Sequence, residues 1–293
     1  MTYLRIWGAH PGRAGIVVAL VGMLLFALND TMGKWLVASY TVGQVVLIRS
    51  IAALAVLAPF LWATGLRPLF AVERPGLQLL RAILSSAEVF AFYFAVSSLP
   101  LADVMTYWLA SPLYVAVLAP FLLGERVGAL RWAAILLGFL GVVIALNPSG
   151  AALSPAALIS VVGSMSLAFM MLTGRFLRGT PDTVLVFWQT LSAAMAGLIA
   201  IPMGWQPVAP SDLWLLLLLG VVAMLAHVLI NRALKLADAA VVAPIQYTLL
   251  FWAVIFGYIV FGDIPSPAMA IGAALIVASG LIVFFLGRRQ TAP

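Results

Sequence analysis

Between residues 13 and 286 the chain alternates apolar runs of about 20 residues with short breaks rich in Pro, Gly, Ser and basic side chains. About 20 apolar residues is the length of helix that crosses the hydrocarbon of a bilayer. Inside lipid the backbone has no water to bond to, so each run must satisfy its own amides and carbonyls as a helix. At 65% hydrophobic and 8% charged residues the composition lies outside the range of water-soluble domains. The expected fold is an all-α integral membrane protein with ten transmembrane helices, over residues 13–36, 43–64, 74–98, 103–123, 129–146, 154–177, 183–203, 212–236, 239–262 and 267–286. The breaks are too short to add a soluble domain. The first run follows Arg5 and Arg13 as a secretory leader would, but it contains Asp30 and Lys34 and no small-residue cleavage site follows it, so it is read as a membrane helix.

The stretch Gly22 to Leu36, GMLLFALNDTMGKWL, returns as Gly163 to Leu177, GSMSLAFMMLTGRFL. Aligned without a gap, Gly22, Ala27, Gly33 and Leu36 face Gly163, Ala168, Gly174 and Leu177, and Lys34 meets Arg175. A second echo matches Leu99 and Leu101-Ala102-Asp103 to Leu234 and Leu236-Ala237-Asp238, each followed by an apolar run that ends in Gly-acid, Gly124-Glu125 and Gly262-Asp263. Two echoes in one order divide the chain into two five-helix repeats, residues 1–147 and 148–293, forming one transport domain. Five is odd, so the second repeat enters the bilayer from the opposite side. Inverted repeats offer two near-equivalent packings, one open to each face, which is how alternating access arises. A duplicated bundle that serves only as a membrane scaffold is the competing explanation, and a membrane enzyme is a third.

A net charge of +6 would point to nucleic acid if it lay on a polar face. Here the basic residues punctuate apolar runs, so the charge reports orientation and no nucleic-acid partner is expected. With the amino terminus in the cytoplasm, all 15 Lys and Arg except Lys34 and Arg49 fall on the cytoplasmic side, which places both termini there. Trp35, Tyr40, Trp205 and Trp214 near the outer ends, and Trp62 and Trp132 near the inner, suit interfacial belts. The absence of cysteine excludes disulfide and thiolate chemistry. No phosphate-binding Gly-x4-Gly-Lys-Ser/Thr loop, His-Glu-x-x-His pair or Ser-His-Asp signature occurs, so no cofactor, metal site, catalytic residue or intrinsic ATP hydrolysis is expected.

A charge at the bilayer centre costs about 2.5–3.5 kcal/mol on insertion scales, so it is paired or faces a wet cavity. Asp30 and Lys34 share a helix face. With Arg49 they form an expected outer cluster, suited to closing an external gate or holding a carboxylate; snorkelling of Lys34 and Arg49 to the interface is the alternative. Glu88, midway along the third helix beside Ser85 and Phe92, is a candidate proton site or amine ligand, or else a neutral carboxyl bonded to a neighbouring helix. His227 on the eighth helix is a candidate relay or a packing residue. Pro112 and Pro244 sit within aromatic, polar stretches, Tyr107, Trp108, Ser111 and Tyr114 in one and Gln246, Tyr247 and Trp252 in the other. A mid-helix proline frees the carbonyl four residues earlier, that of Trp108 or Ala240. Together with Phe92, Trp188 and Gln189 these residues make either a wall for a small amphipathic solute or ordinary kinked packing. Ala134 and Gly138, with Ala270, Ala274 and Ala278, predict close helix contact within one chain or between two, leaving monomer and homodimer open.

Taken together, two five-helix units, an acid-bearing first helix ending Gly33-Lys34, Arg49 in the second, Leu-x-Leu-Ala-Asp opening the fourth, a proline inside it, and Gly124-Glu125 before a Gly-rich fifth resemble the EamA-type drug/metabolite transporter superfamily. The resemblance implies ten helices, cytoplasmic termini and a central cavity lined from both halves. It implies a multi-pass carrier of the bacterial inner membrane. The chain looks most like amino-acid exporters, including the aromatic amino-acid exporters of the YddG kind, and riboflavin or other metabolite carriers share the pattern. Arg49 stands where the family has its second-helix Arg; the second copy has Gln189 there, so the outer cluster should lack a charged mirror image. The expected function is secondary export of small metabolites, amino acids above all, by alternating access, with a small-molecule substrate and the lipid bilayer as partners. A carrier for riboflavin or a nucleoside is the alternative.

Overall fold

The computed structural model describes residues 11–123, 128–146, 154–177, 179–236 and 243–291. The helices among them are α1 Pro11–Val37, α2 Val42–Thr64, α3 Arg67–Phe70, α4 Pro75–Val96, α5 Leu101–Trp108, α6 Ser111–Leu123, α7 Ala129–Leu146, α8 Pro155–Phe176, α9 Asp182–Ala200, α10 Pro210–Leu236, α11 Thr248–Phe256 and α12 Pro267–Thr291. A 3-10 turn, Ala243–Tyr247, leads into α11, and a π-helical turn, Gly257–Phe261, leads out of it. Among the described residues, seven helical stretches are long and apolar enough to cross a membrane, and three shorter apolar ones accompany them. The outer surface carries what a water-soluble protein hides, with Trp62 87% and Ile199 75% exposed. Such a surface suits lipid.

Helix ends follow the local sequence. The Thr41 hydroxyl accepts from the Gln44 amide at the start of α2, Ser154 does the same for Ala157 in α8, and Ser266 for Met269 in α12. Gly65 and Gly262 stop their helices with φ of 81° and 70°, where a side chain would be strained.

The long helices pair across the two halves: α1 lies on α10, α2 on α9, α4 on α8 and α7 on α12. Glycine makes these seams close. A Cβ at Gly197 would come 2.8 Å from the Gly43 carbonyl oxygen and the Leu47 amide nitrogen, and one at Gly141 would come 2.8 Å from the Gly272 carbonyl oxygen. The α7–α12 contact is thus internal, and Ser279 adds a hydrogen bond of 2.5 Å to the Ala134 carbonyl. Gly138 joins this seam against Ser279, but Ala270, Ala274 and Ala278 face outward, one register step from the expected contact.

The expected fourth helix is not continuous. It is broken between Trp108 and Ser111 because Pro112 has no N–H to offer the Trp108 carbonyl. The chain tightens there, Ala110 N–H bonding Tyr107 at 3.1 Å, and restarts with Leu113 N–H on Ala110 at 2.9 Å. Pro244 likewise falls in a 3-10 turn before α11. The expected start of that helix at residue 239, with the Ala240 carbonyl, lies outside the described residues. The short α3 was not expected from the pattern.

Because the Gly197 seam meets backbone that cannot yield, Gly197→Val should lower the thermal midpoint of the detergent-solubilised protein, overpacking costing about 1–3 kcal/mol. Gly76→Ala, with open space around it, should leave that midpoint unchanged or raise it. Fluorescence-detected size exclusion after heating separates the two.

Candidate functional site

Helices from both halves enclose a cavity of about 320 Å³, within the range that holds small-molecule ligands. Much of its wall is apolar: Phe26, Phe92 and Trp108, with Met23, Met105, Met170 and Met224, whose flexible thioethers adapt to ligand shape. Set into it are Asn29 and Asp30 from α1, Arg49 from α2, Glu88 from α4, Ser111 at the start of α6, Gln189 from α9, His227 from α10 and Gln246 from the 3-10 turn. The two proline breaks thus both open onto this space.

Several of the polar and charged groups in the wall have protein partners among the described residues. The Trp108 indole N–H donates to Glu88 Oε1 at 2.6 Å, and its ring meets Phe92 edge to face at 5.3 Å. Arg49 donates to the Tyr93 hydroxyl and lies 5.3 Å from that ring's centroid. The Asn29 amide donates to the Leu219 carbonyl at 2.8 Å, tying α1 to α10. His227 Nδ1 lies 2.7 Å from the Ala223 carbonyl, which places a hydrogen on Nδ1. Arg81 donates to the Gln189 side chain at 3.1 Å. Asp30 differs: it lines the cavity yet has no hydrogen bond or ion pair within 4 Å among the described residues, although Arg49 is near enough to act on it through space.

Of the residues singled out in the sequence, Glu88, Phe92, Trp108, Ser111, Gln189, His227 and Gln246 line the cavity, as do Asp30 and Arg49. Four others do not. Tyr107 is buried with its hydroxyl 3.4 Å from the Ala145 carbonyl, and Tyr114 packs on Phe139. Trp188 donates to the Leu69 carbonyl at 2.9 Å, and Tyr247 presses against Gly280. The helix is interrupted before Ser111, and of Tyr107, Ser111 and Tyr114, which a continuous helix would put on one face, only Ser111 reaches the cavity.

The expected cluster of Asp30, Lys34 and Arg49 is divided. Lys34 turns away from Asp30 to form a 2.5 Å ion pair with Asp263 and sits 4.5 Å from the Phe261 centroid, with Asp103 close enough to sense both charges. This pair belongs to a set of ties at the end of the bundle opposite Arg67, Arg74 and Arg81. Tyr40 donates to Asp212 at 2.6 Å, Thr41 to the Gly204 carbonyl at 3.1 Å, and Gln44 exchanges two hydrogen bonds with the Gln206 backbone at 2.8 and 3.0 Å. The sequence reading missed these partners and took Tyr40 for an interfacial residue. Gln44, fully buried in an apolar run, was the available signal, since a buried amide must find partners.

A helical bundle whose halves jointly enclose an amphipathic cavity fits the outcome of comparison with known proteins. The model of the EamA-like transporter family matches the chain twice, over residues 13–147 and 154–285. The chain belongs to the EamA-like transporter family. It is a multi-pass membrane transporter and not an enzyme. This EamA-like transporter is 30% identical to a riboflavin transporter of Vibrio cholerae over 278 residues, covering 92% of each chain. It is 26% identical to an S-adenosylmethionine uptake transporter of Rickettsia bellii, covering 92% of this chain and 93% of the relative, and 25% identical to a pseudopaline exporter of Pseudomonas aeruginosa, covering 91% and 94%. A solved crystal structure superposes with a TM-score of 0.63 at 20% identity, covering 95% of this chain and 98% of that one, and shares the fold.

The end tied by Lys34 and Asp263 can be locked. The native chain has no cysteine, so Lys34→Cys with Asp263→Cys presents two thiols only. A short bifunctional thiol reagent should join them within one chain and reduce flux at least tenfold, and a cleavable version of the reagent should restore it on reduction. Undiminished flux in the fully crosslinked protein would show that this end does not open during transport.

Proposed function

We propose that this transporter is a secondary carrier for a small zwitterionic metabolite of the amino-acid kind, aromatic amino acids included. Asp30 would meet the ammonium group, Arg49 the carboxylate, and Trp108, Phe92 and the methionines the side chain. The observation that carries the reading is the pair of opposite charges on the cavity wall that do not join each other: among the described residues Asp30 accepts no bond, and Arg49 rests on a tyrosine. A zwitterion satisfies both, and charge-assisted bonds of this kind contribute about 1.5–3 kcal/mol each. A flat heteroaromatic cargo is the second reading, favoured by the riboflavin transporter among the relatives.

The carrier is proposed to cross the bacterial inner membrane ten times, with both termini and the arginine-rich end in the cytoplasm and export as its direction. Two inverted five-helix repeats, 1–147 and 148–293, alternate in access to the cavity. The helix pairing supports this: exchanging each helix for its counterpart in the other half turns the α1–α10 contact into the α8–α4 contact and leaves α2–α9 and α7–α12 in place. The ties around Lys34, Tyr40 and Gln44 correspond to the state closed at the outer face.

Counterflow in proteoliposomes tests the substrate class. Labelled L-tryptophan or L-leucine should exchange saturably, while tryptamine and indole-3-propionate, each lacking one charge, should compete at least tenfold more weakly. Asp30→Asn and Arg49→Gln should each raise KM at least tenfold. Saturable riboflavin exchange with no amino-acid exchange would overturn the zwitterion reading in favour of the flat-ring one.

A further inference from the structure

Two carboxylates line the cavity, and their surroundings differ. Asp30 accepts nothing from the described protein. Glu88 is engaged by Trp108, whose indole N–H reaches its Oε1 at 2.6 Å. Trp108 is the last residue of α5, at the proline break, where the backbone holds it less firmly than mid-helix. Its ring is nevertheless fixed from three directions. Glu88 takes the N–H, Phe92 meets it edge to face with planes at 80°, and Gly163 of α8 makes room for its far edge, where a Cβ would come to 2.5 Å. Trp108 is 8% exposed, and a buried indole N–H needs an acceptor; among the described residues Glu88 provides it. If Glu88 Oε1 were drawn away to a cargo ammonium group, the N–H would lose its partner and the ring its orientation.

We propose that Glu88 is a positioning residue: it orients the Trp108 indole across the helix break as a fixed platform for the apolar part of the cargo, and leaves Asp30 as the carboxylate that contacts the cargo's cationic group. The assignment rests on the cavity reading given above. It separates the roles of the two acids in the cavity, and it makes the acceptor atom of residue 88, not its charge, the property that matters. The other titratable or charged groups close to Glu88 are Asp30, Arg49, Tyr93 and, across the cavity, His227.

The test uses the full chain in lipid nanodiscs with its tryptophans 15N-labelled, the Trp108 indole signal being identified by its loss in Trp108→Phe. Glu88→Gln keeps an acceptor at the same place. The indole N–H should stay slow to exchange, KM for L-tryptophan should remain within about threefold of wild type, and the pH profile of exchange should not move. Glu88→Leu should speed indole exchange at least tenfold and raise KM about tenfold with little change in kcat. Added to Trp108→Phe, it should cost nothing more. Gly163→Ala, which displaces the ring without touching Glu88, should raise KM similarly and serves if Glu88→Leu does not fold. A shifted pH profile or a lost KM in Glu88→Gln with its indole signal intact would show that Glu88 acts through its charge, and would overturn the proposal. If wild type moves no amino acid, the zwitterion reading fails by itself. The indole signal still decides the positioning role, because unchanged exchange in Glu88→Leu would eliminate it.

Discussion

A charged or polar group inside an apolar bundle must be answered by a partner, and the way each is answered here determines where the helices can go. Asn29 fixes α1 to α10 through the Leu219 carbonyl. Arg49 is held by Tyr93 of α4, and Arg81 of α4 reaches Gln189 of α9. Lys34 crosses to Asp263. None of these bonds joins neighbours in sequence, so each fixes a tertiary contact at a cost in lost conformational freedom that only a rigid frame can offset. The glycine seams provide that frame. Where α2 meets α9 and α7 meets α12, the helices approach to backbone contact, and dispersion across a dry seam replaces the hydrophobic drive that lipid removes. The cavity is what remains where side chains are too large or too polar for such a seam.

Both proline breaks open onto that cavity. A helix broken inside a membrane leaves backbone groups that water, protein or ligand must satisfy, so such breaks are tolerated only beside a cavity or under protein cover. The break at Pro112 brings Ser111 and Trp108 to the cavity, and the turn at Pro244 brings Gln246. The flexibility of a binding site and the rigidity of its scaffold thus come from different residue types: prolines and methionines around the space, glycines where the helices meet.

Much of this was legible in the sequence. Helix positions followed from the apolar runs, because in lipid the backbone has no alternative to helix. Asp30, Arg49, Glu88, Trp108 and His227 were identifiable because a polar or amphipathic side chain at that depth needs a reason to be there. Which acid meets which partner was not legible. The i, i+4 spacing of Asp30 and Lys34 made them neighbours on one helix, but a lysine near a helix end can swing to an acid on any adjoining segment, and Asp263 lies far along the chain. Tyr107 and Tyr114 were placed by the geometry of an unbroken helix that Pro112 does not allow. The interlocked pair Gln44 and Gln206 joins residues that no local pattern connects.

The distribution of charge around the cavity bears on how a carrier of this shape would work. The helices pair in a way that exchanging the two halves preserves, yet Asp30, Arg49 and Glu88 all come from the first half, while the second contributes Gln189, His227, Gln246, Met170 and Met224. Gln189, at the position corresponding to Arg49, is itself held by Arg81 of the first half. A helix pairing that exchange of the halves preserves therefore carries a one-sided set of charges. Under alternating access a zwitterion would keep its charged end on the first half in both states, and the neutral wall of the second half would slide past its apolar end. That division would lower the barrier to such switching, because sliding an apolar contact costs less than breaking and remaking charge-assisted bonds in a low-dielectric interior.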